Sequence, residues 1–136
     1  GAVLSPFDSY QLIRGLKTLS LRMERSTANA QEIVSFLEQS PAVKEVLYTG
    51  RGGMISFKVA DEKRIPHILN TLKVFSFAES LGGVESLITY PTTQTHADIP
   101  AEVRHSYGLT DDLLRLSIGI EDARDLIEDL RQALEG

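Results

Sequence analysis

The stretch Asp112-Leu113-Leu114-Arg115-Leu116-Ser117-Ile118-Gly119-Ile120-Glu121-Asp122 constrains the fold more than any other, because an apolar run holding one arginine ends at a helix start. Read as a strand, it puts Leu114, Leu116 and Ile118 on one face and Leu113, Arg115 and Ser117 on the other. The first face belongs to a core, and the second carries a guanidinium. A planar guanidinium on a stiff strand offers two parallel donors to a carboxylate, which suits an amino-acid or keto-acid carboxyl better than a lysine would. On spacing alone, the commoner arrangement is an arginine paired with a neighbouring carboxylate for structural reasons.

The helix after this strand is the clearest in the chain. Glu121 and Asp122 complement the positive end of its dipole, and Ala123, Leu126, Ile127, Leu130, Ala133 and Leu134 form its buried stripe. Upstream, Ser5-Pro6-Phe7-Asp8 has the pattern of a capped helix start. Helical spacing of Leu12, Leu16, Leu19 and Met23, and of Ala30, Ile33, Val34 and Leu37, carries helix to about Gln39, with a break or bend expected at Gly15. Arg14, Lys17, Arg22 and Arg25 make a locally basic, solvated face.

Pro41 stops that helix, and Val43–Tyr48 and residues 54–59 read as the two strands of a hairpin. The glycines of Gly50-Arg51-Gly52-Gly53 fit its turn; no helix follows them, so they match no phosphate loop. A helix from Asp61 to about Leu72, short strands at 74–77 and 87–90, and a glycine-containing turn between those strands follow. Glu79 and Ser80 sit at the end of the first short strand, a common place for binding groups. Residues 91–100 read as a loop with Thr92, Thr93, Thr95 and His96 as polar candidates. A short helix starting around residues 99–102 ends near Tyr107-Gly108. The order predicts an α+β domain, with about four mainly antiparallel strands backed by helices.

Composition narrows the function. At 136 residues and 42% hydrophobic content the chain has the size and core of one domain. No apolar run nears the roughly 18 residues that cross a bilayer, so no membrane role is expected. With no cysteine there is no thiol nucleophile or thiolate metal site, and three scattered histidines make no metal cluster. A net charge of −5 without a lysine–arginine cluster argues against nucleic acid. Small molecules and protein partners remain, in a cytoplasmic setting. The chain opens Gly1-Ala2-Val3-Leu4 without an initiator methionine, which suggests a piece of something longer.

Several of these segments, in order, carry a resemblance. They are Ser5-Pro6-Phe7-Asp8, Arg14-Gly15-Leu16-Lys17-Thr18-Leu19, Leu21-Arg22-Met23-Glu24-Arg25, Ala78-Glu79-Ser80-Leu81-Gly82-Gly83-Val84-Glu85-Ser86-Leu87, Thr95-His96-Ala97 and Leu114-Arg115-Leu116-Ser117-Ile118-Gly119-Ile120-Glu121. Together, nearly end to end, they resemble the C-terminal domain of the cystathionine γ-synthase and γ-lyase family of pyridoxal-phosphate enzymes of cysteine and methionine metabolism. The resemblance implies that Arg115 holds the substrate α-carboxylate, that Ser80 contacts the same group, and that Glu79 lies near the substrate side chain. Glutamate at that position leans toward chemistry at the γ-carbon.

The resemblance further implies pyridoxal 5'-phosphate in the full-length enzyme, bound mainly by a large domain that these residues do not include. It implies a homotetramer acting on homoserine-ester, cystathionine or cysteine-type amino acids. The short link from Tyr48 to Gly52 departs from the longer excursion usual in the family. The lysine that binds the cofactor covalently is also missing, since Lys17, Lys44, Lys58, Lys63 and Lys73 lie in unmatched contexts. This domain alone is therefore expected to be inactive. The rival expectation is a stand-alone amino-acid-binding or regulatory module, since a fold does not fix a function.

Overall fold

The computed structural model describes residues 2–136. Helix α1 (Pro6–Leu16) starts at Ser5, whose hydroxyl accepts from the Asp8 amide at 3.1 Å, with Pro6 in the first turn. The helix expected up to Gln39, with a break or bend at Gly15, is two helices: the chain breaks at residues 17–18 before α2 (Leu19–Gln39) begins. The Gly15 carbonyl released by the break accepts from the Arg22 guanidinium at 2.9 Å, so the basic face has one structural duty. Helix α2 buries Ala30, Ile33 and Leu37, whereas α1 buries nothing: Phe7, Tyr10, Leu12, Ile13 and Leu16 all stay exposed.

Strands β1 (Val43–Tyr48) and β2 (Met54–Val59) form the expected antiparallel hairpin, and positive φ angles at Gly50 and Gly52 let its turn close. A short 3₁₀ turn over Glu62–Arg64 leads into α3 (Ile65–Thr71), so the helix expected from Asp61 is irregular in its first turn. Then come β3 (Ser76–Phe77), β4 (Leu87–Thr89), α4 (Ala101–Ser106), β5 (Leu113–Ser117) and α5 (Ala123–Glu135).

The α+β class holds, but the sheet has five strands rather than about four, in the order β1-β2-β5-β4-β3. The strand expected at 74–77 is shortened to the two residues of β3, which pair parallel with β4 while every other pairing is antiparallel. Its shortness has a cause. The carboxylate of buried Asp129, on α5, accepts from the amides of Lys73, Val74 and Phe75 at 2.8, 2.8 and 3.0 Å, which takes those donors away from the sheet.

One core forms between the sheet and α2, α3 and α5, with Ile55, Phe57, Ile88, Leu114 and Leu116 from the strands against Ile33, Leu37, Ile68, Leu126 and Leu130 from the helices. The stripe of α5 follows the expected spacing, with Asp129 as an unforeseen polar member and Ile127 only partly buried.

At the other end of β5, buried Asp112 forms an ion pair with Lys44 and accepts from the Thr110 hydroxyl. Burial alone would raise its pKa, but the hydrogen bonds from Lys44 and Thr110, with the Lys44 charge, outweigh that and lower it. A depressed carboxyl stabilises the fold above the unfolded value of about 3.9 and loses that contribution as pH falls through the folded value. The Asp112→Asn variant should therefore show a shallower loss of urea midpoint than the parent between about pH 5 and pH 2. Parallel acid limbs in the two proteins would refute the assignment.

Candidate functional site

The alternation read from the sequence is present in β5: Leu114 and Leu116 are fully buried in the core, while Arg115 lies half-buried on the opposite face. β5 is interior to the sheet, so Arg115 is flanked on both sides, by Ser56 of β2 and Thr89 of β4. Its Nη2 makes one long hydrogen bond, to Thr89 Oγ1 at 3.5 Å. Among the described residues no carboxylate lies within ion-pair distance of it. A half-buried guanidinium with one long hydrogen bond and no anion beside it has donors left over for an anion.

Glu79 and Ser80 are exposed, on the irregular segment 78–86 that crosses the same end of the sheet. No direct hydrogen bond joins either of them to Arg115, yet the segment is tied to the arginine's surroundings on both sides of the pair. Before it, Thr89 Oγ1 donates to the Ala78 carbonyl at 3.0 Å. After it, the Gly82 amide donates at 3.0 Å to Ser117 Oγ, and Ser117 shares the Arg115 face. Reading the sequence placed Ser117 on the Arg115 face but missed Thr89 and Ser56 as parts of this neighbourhood. The period-two rule identifies which side chains share a face within one strand, but register across strands is a tertiary outcome.

Sequence reading also treated Glu121 as a dipole complement, and its role is more specific. Its carboxylate accepts from the Ser86 amide at 2.5 Å and the Ser86 hydroxyl at 2.9 Å, and Ser86 Oγ in turn accepts from the Gly119 amide at 2.9 Å. Gly119 lies so close to this segment that a Cβ there would stand 2.1 Å from the Val84 carbonyl and 2.5 Å from Glu121 Oε2. Asn29 of α2, buried, donates to the Gly119 and Glu121 carbonyls at 3.2 and 2.9 Å. The remaining loop candidates stand apart. Thr95 and His96 bond to each other, and Thr92 is buried with its hydroxyl unpaired. A hollow of about 400 Å³ between Lys73 and the acidic side chains of α5 does not include Arg115.

Residues 1–135 match the family of Cys/Met metabolism PLP-dependent enzymes. The chain belongs to this family. It is 59% identical over 134 residues to a cystathionine γ-synthase/O-acetylhomoserine (thiol)-lyase of Bacillus subtilis, covering 98% of this chain and 36% of that protein. It is 57% identical over 133 residues to a cystathionine γ-synthase of Haemophilus influenzae, with the same coverage. A cystathionine γ-lyase of B. subtilis is 51% identical over 151 residues, covering 99% of this chain and 40% of that protein.

The crystal structure of an O-acetylhomoserine (thiol)-lyase from Campylobacter jejuni, which contains a pyridoxyl-lysine phosphate, superposes with a TM-score of 0.93 at 33% identity, over 100% of this chain and 37% of that one. A cystathionine γ-lyase from Lactobacillus plantarum complexed with L-serine superposes at 0.88 and 36% identity, over 98% of this chain and 39% of that one. The chain thus spans little more than a third of the relatives it matches.

Enzymes of this family depend on pyridoxal phosphate, and neither of two lysines nor the glycine-rich turn is arranged here to hold it. Lys44 and Lys58 are engaged by Asp112 and Glu45, and the Gly50–Gly53 turn leads into a strand rather than a helix N-terminus. What this member of the family does contribute is the tight junction at Gly119. Gly119→Ala should destabilise the chain by about 1–3 kcal/mol through overpacking, whereas Gly15→Ala, at a site with open space, should cost nothing. Urea denaturation of both variants checks this, and an unchanged midpoint for Gly119→Ala would refute the close approach.

Proposed function

We propose that this chain is the C-terminal, substrate-carboxylate-binding domain of a pyridoxal-phosphate enzyme that acts at the γ-carbon of amino acids, by γ-replacement or γ-elimination, in methionine and cysteine metabolism. The observation that carries the reading is Arg115: half-buried, interior to the sheet between Ser56 and Thr89, hydrogen-bonded only to the Thr89 hydroxyl, and without a carboxylate partner among the described residues. Such a group loses hydration on folding and recovers it in bidentate contact with an incoming carboxylate. Ser80 would contact the same carboxylate, and Glu79 would lie toward the substrate side chain. The L-serine complex of the Lactobacillus relative supports an amino acid as ligand.

The alignment lengths favour the synthase branch. The two γ-synthase relatives align in 134 and 133 positions, leaving no room for an inserted excursion, whereas the γ-lyase of B. subtilis and a cystathionine β-lyase of Lactococcus lactis each need 151. The short hairpin link is then a trait shared with those synthases. The wholly exposed apolar surface of α1 supports a larger assembly, with a large domain of the same protein as partner. The electron-sink chemistry of the family belongs to the cofactor and to residues outside this chain. The contribution of these residues is to hold the substrate in orientation.

In the full-length protein Arg115→Ala should cost roughly 2–5 kcal/mol of substrate interaction, seen as a fall in kcat/KM for an O-acyl homoserine with cysteine. Unchanged kinetics would refute the role. The isolated chain mixed with pyridoxal phosphate and the same substrates should show no turnover, and turnover would overturn the reading of a partial enzyme.

A further inference from the structure

The segment between Ala78 and Ser86 has no helix and almost no buried surface, so the positions of Glu79 and Ser80 are imposed from outside. Beyond the tie at Ala78 and the Ser76 amide on the Ser86 carbonyl at 3.2 Å, its fixings come from the end of β5 and the chain that leaves it. The Gly82 amide bonds to Ser117 Oγ at 3.0 Å, the Ile120 amide bonds to the Val84 carbonyl at 2.8 Å, and both Glu121 carboxylate oxygens take Ser86, one its amide and one its hydroxyl. Glu121 is itself held, because its carbonyl accepts from Asn29 at 2.9 Å and from Arg25 at 3.3 Å. Ser117 lies two residues beyond Arg115 on the same strand face, and Glu121 four beyond Ser117.

We propose that Glu121 and Ser117 are positioning residues that fix the segment carrying Ser80 at the distance from Arg115 at which both engage one substrate carboxylate. This rests on the reading of Arg115 as the carboxylate ligand. The chemistry of the clamp explains the residue types. Ser86 presents two donors side by side, and its hydroxyl oxygen already accepts from the Gly119 amide, so its proton must go to an acceptor. A carboxylate satisfies amide and hydroxyl together; a carboxamide of the same shape offers one acceptor and turns an N–H toward the other donor. Ser117 needs only a hydroxyl, because it receives a single loop amide. The clamp and the guanidinium are built on one strand and its extension, so the spacing between them is as rigid as the sheet.

The test uses the full-length protein and two inhibitors that carry no leaving group, L-norleucine and its α-carboxamide, compared by the ratio of their inhibition constants. Arg115→Ala should bring the parent's preference for the acid close to one. Glu121→Gln and Ser117→Ala should each reduce that preference by roughly tenfold, as expected for a slight misplacement of one binding group, with the carboxamide constant unmoved. A fall in melting temperature with the preference intact, or equal weakening of both inhibitors, would show that the clamp serves stability alone and would overturn the proposal. Ser117→Ala leaves only one amide on an exposed segment to be rehydrated, so it carries the test if Glu121→Gln does not fold. A preference moved by Arg115→Ala but by neither other variant rejects the clamp alone. A preference unmoved by Arg115→Ala rejects the carboxylate grip and the clamp with it.

Discussion

The structure depends on the approach of two backbones at Gly119, where the chain leaving β5 runs against the segment entering β4 with no room for a side chain between them. The hydrogen bonds at this crossing follow from that proximity: Ile120 to Val84, Gly119 to Ser86, Ser86 to Glu121. Buried polar networks of this kind rigidify when every member is satisfied. Here both Ser86 donors have acceptors and Asn29 takes two of the nearby carbonyls. The sheet above the crossing inherits its order. β5 sits between β2 and β4 because its exit is pinned to the strand on one side while Gly53, on the other, accepts from Ile118 at 2.8 Å.

Much of the fold was legible because its signals are local. The two faces of β5, the hairpin with its glycine turn, the cap at Ser5 and the stripe of α5 all follow from residue spacing and short-range hydrogen bonding. Three readings were incomplete for one shared physical reason. Asp129, Asn29 and Glu121 each bond to backbone groups far away in sequence, and a polar residue bonded to distant backbone looks, in one dimension, like any other helix or loop polar residue. At the break over residues 17–18, Arg22 likewise donates to the Gly15 carbonyl seven residues back, a bond that no local pattern signals.

The candidate site divides along the same line. Arg115 could be picked out because a charged residue inside an apolar alternation is conspicuous, and the ordered motifs pointed to it independently. Its cross-strand neighbours Ser56 and Thr89 could not, being small polar residues without a distinctive pattern. Much of what carries the family resemblance also has a mechanical explanation. Gly119 and Glu121 hold backbone to backbone, and Arg22 caps a broken helix. A shared motif therefore mixes groups that meet the ligand with groups that keep those in place, and only coordinates separate the two.

Helix α1 illustrates a different separation. Because none of its residues is buried, replacing Phe7, Tyr10 or Ile13 by polar residues would leave the core, the sheet and the Arg115 neighbourhood untouched. A directed-evolution campaign that scored this chain only for solubility and heat resistance would accept such changes readily and be rewarded for them. The product would be a better-behaved chain from which the exposed apolar face of α1 had been erased, a loss that no assay on the chain alone would register.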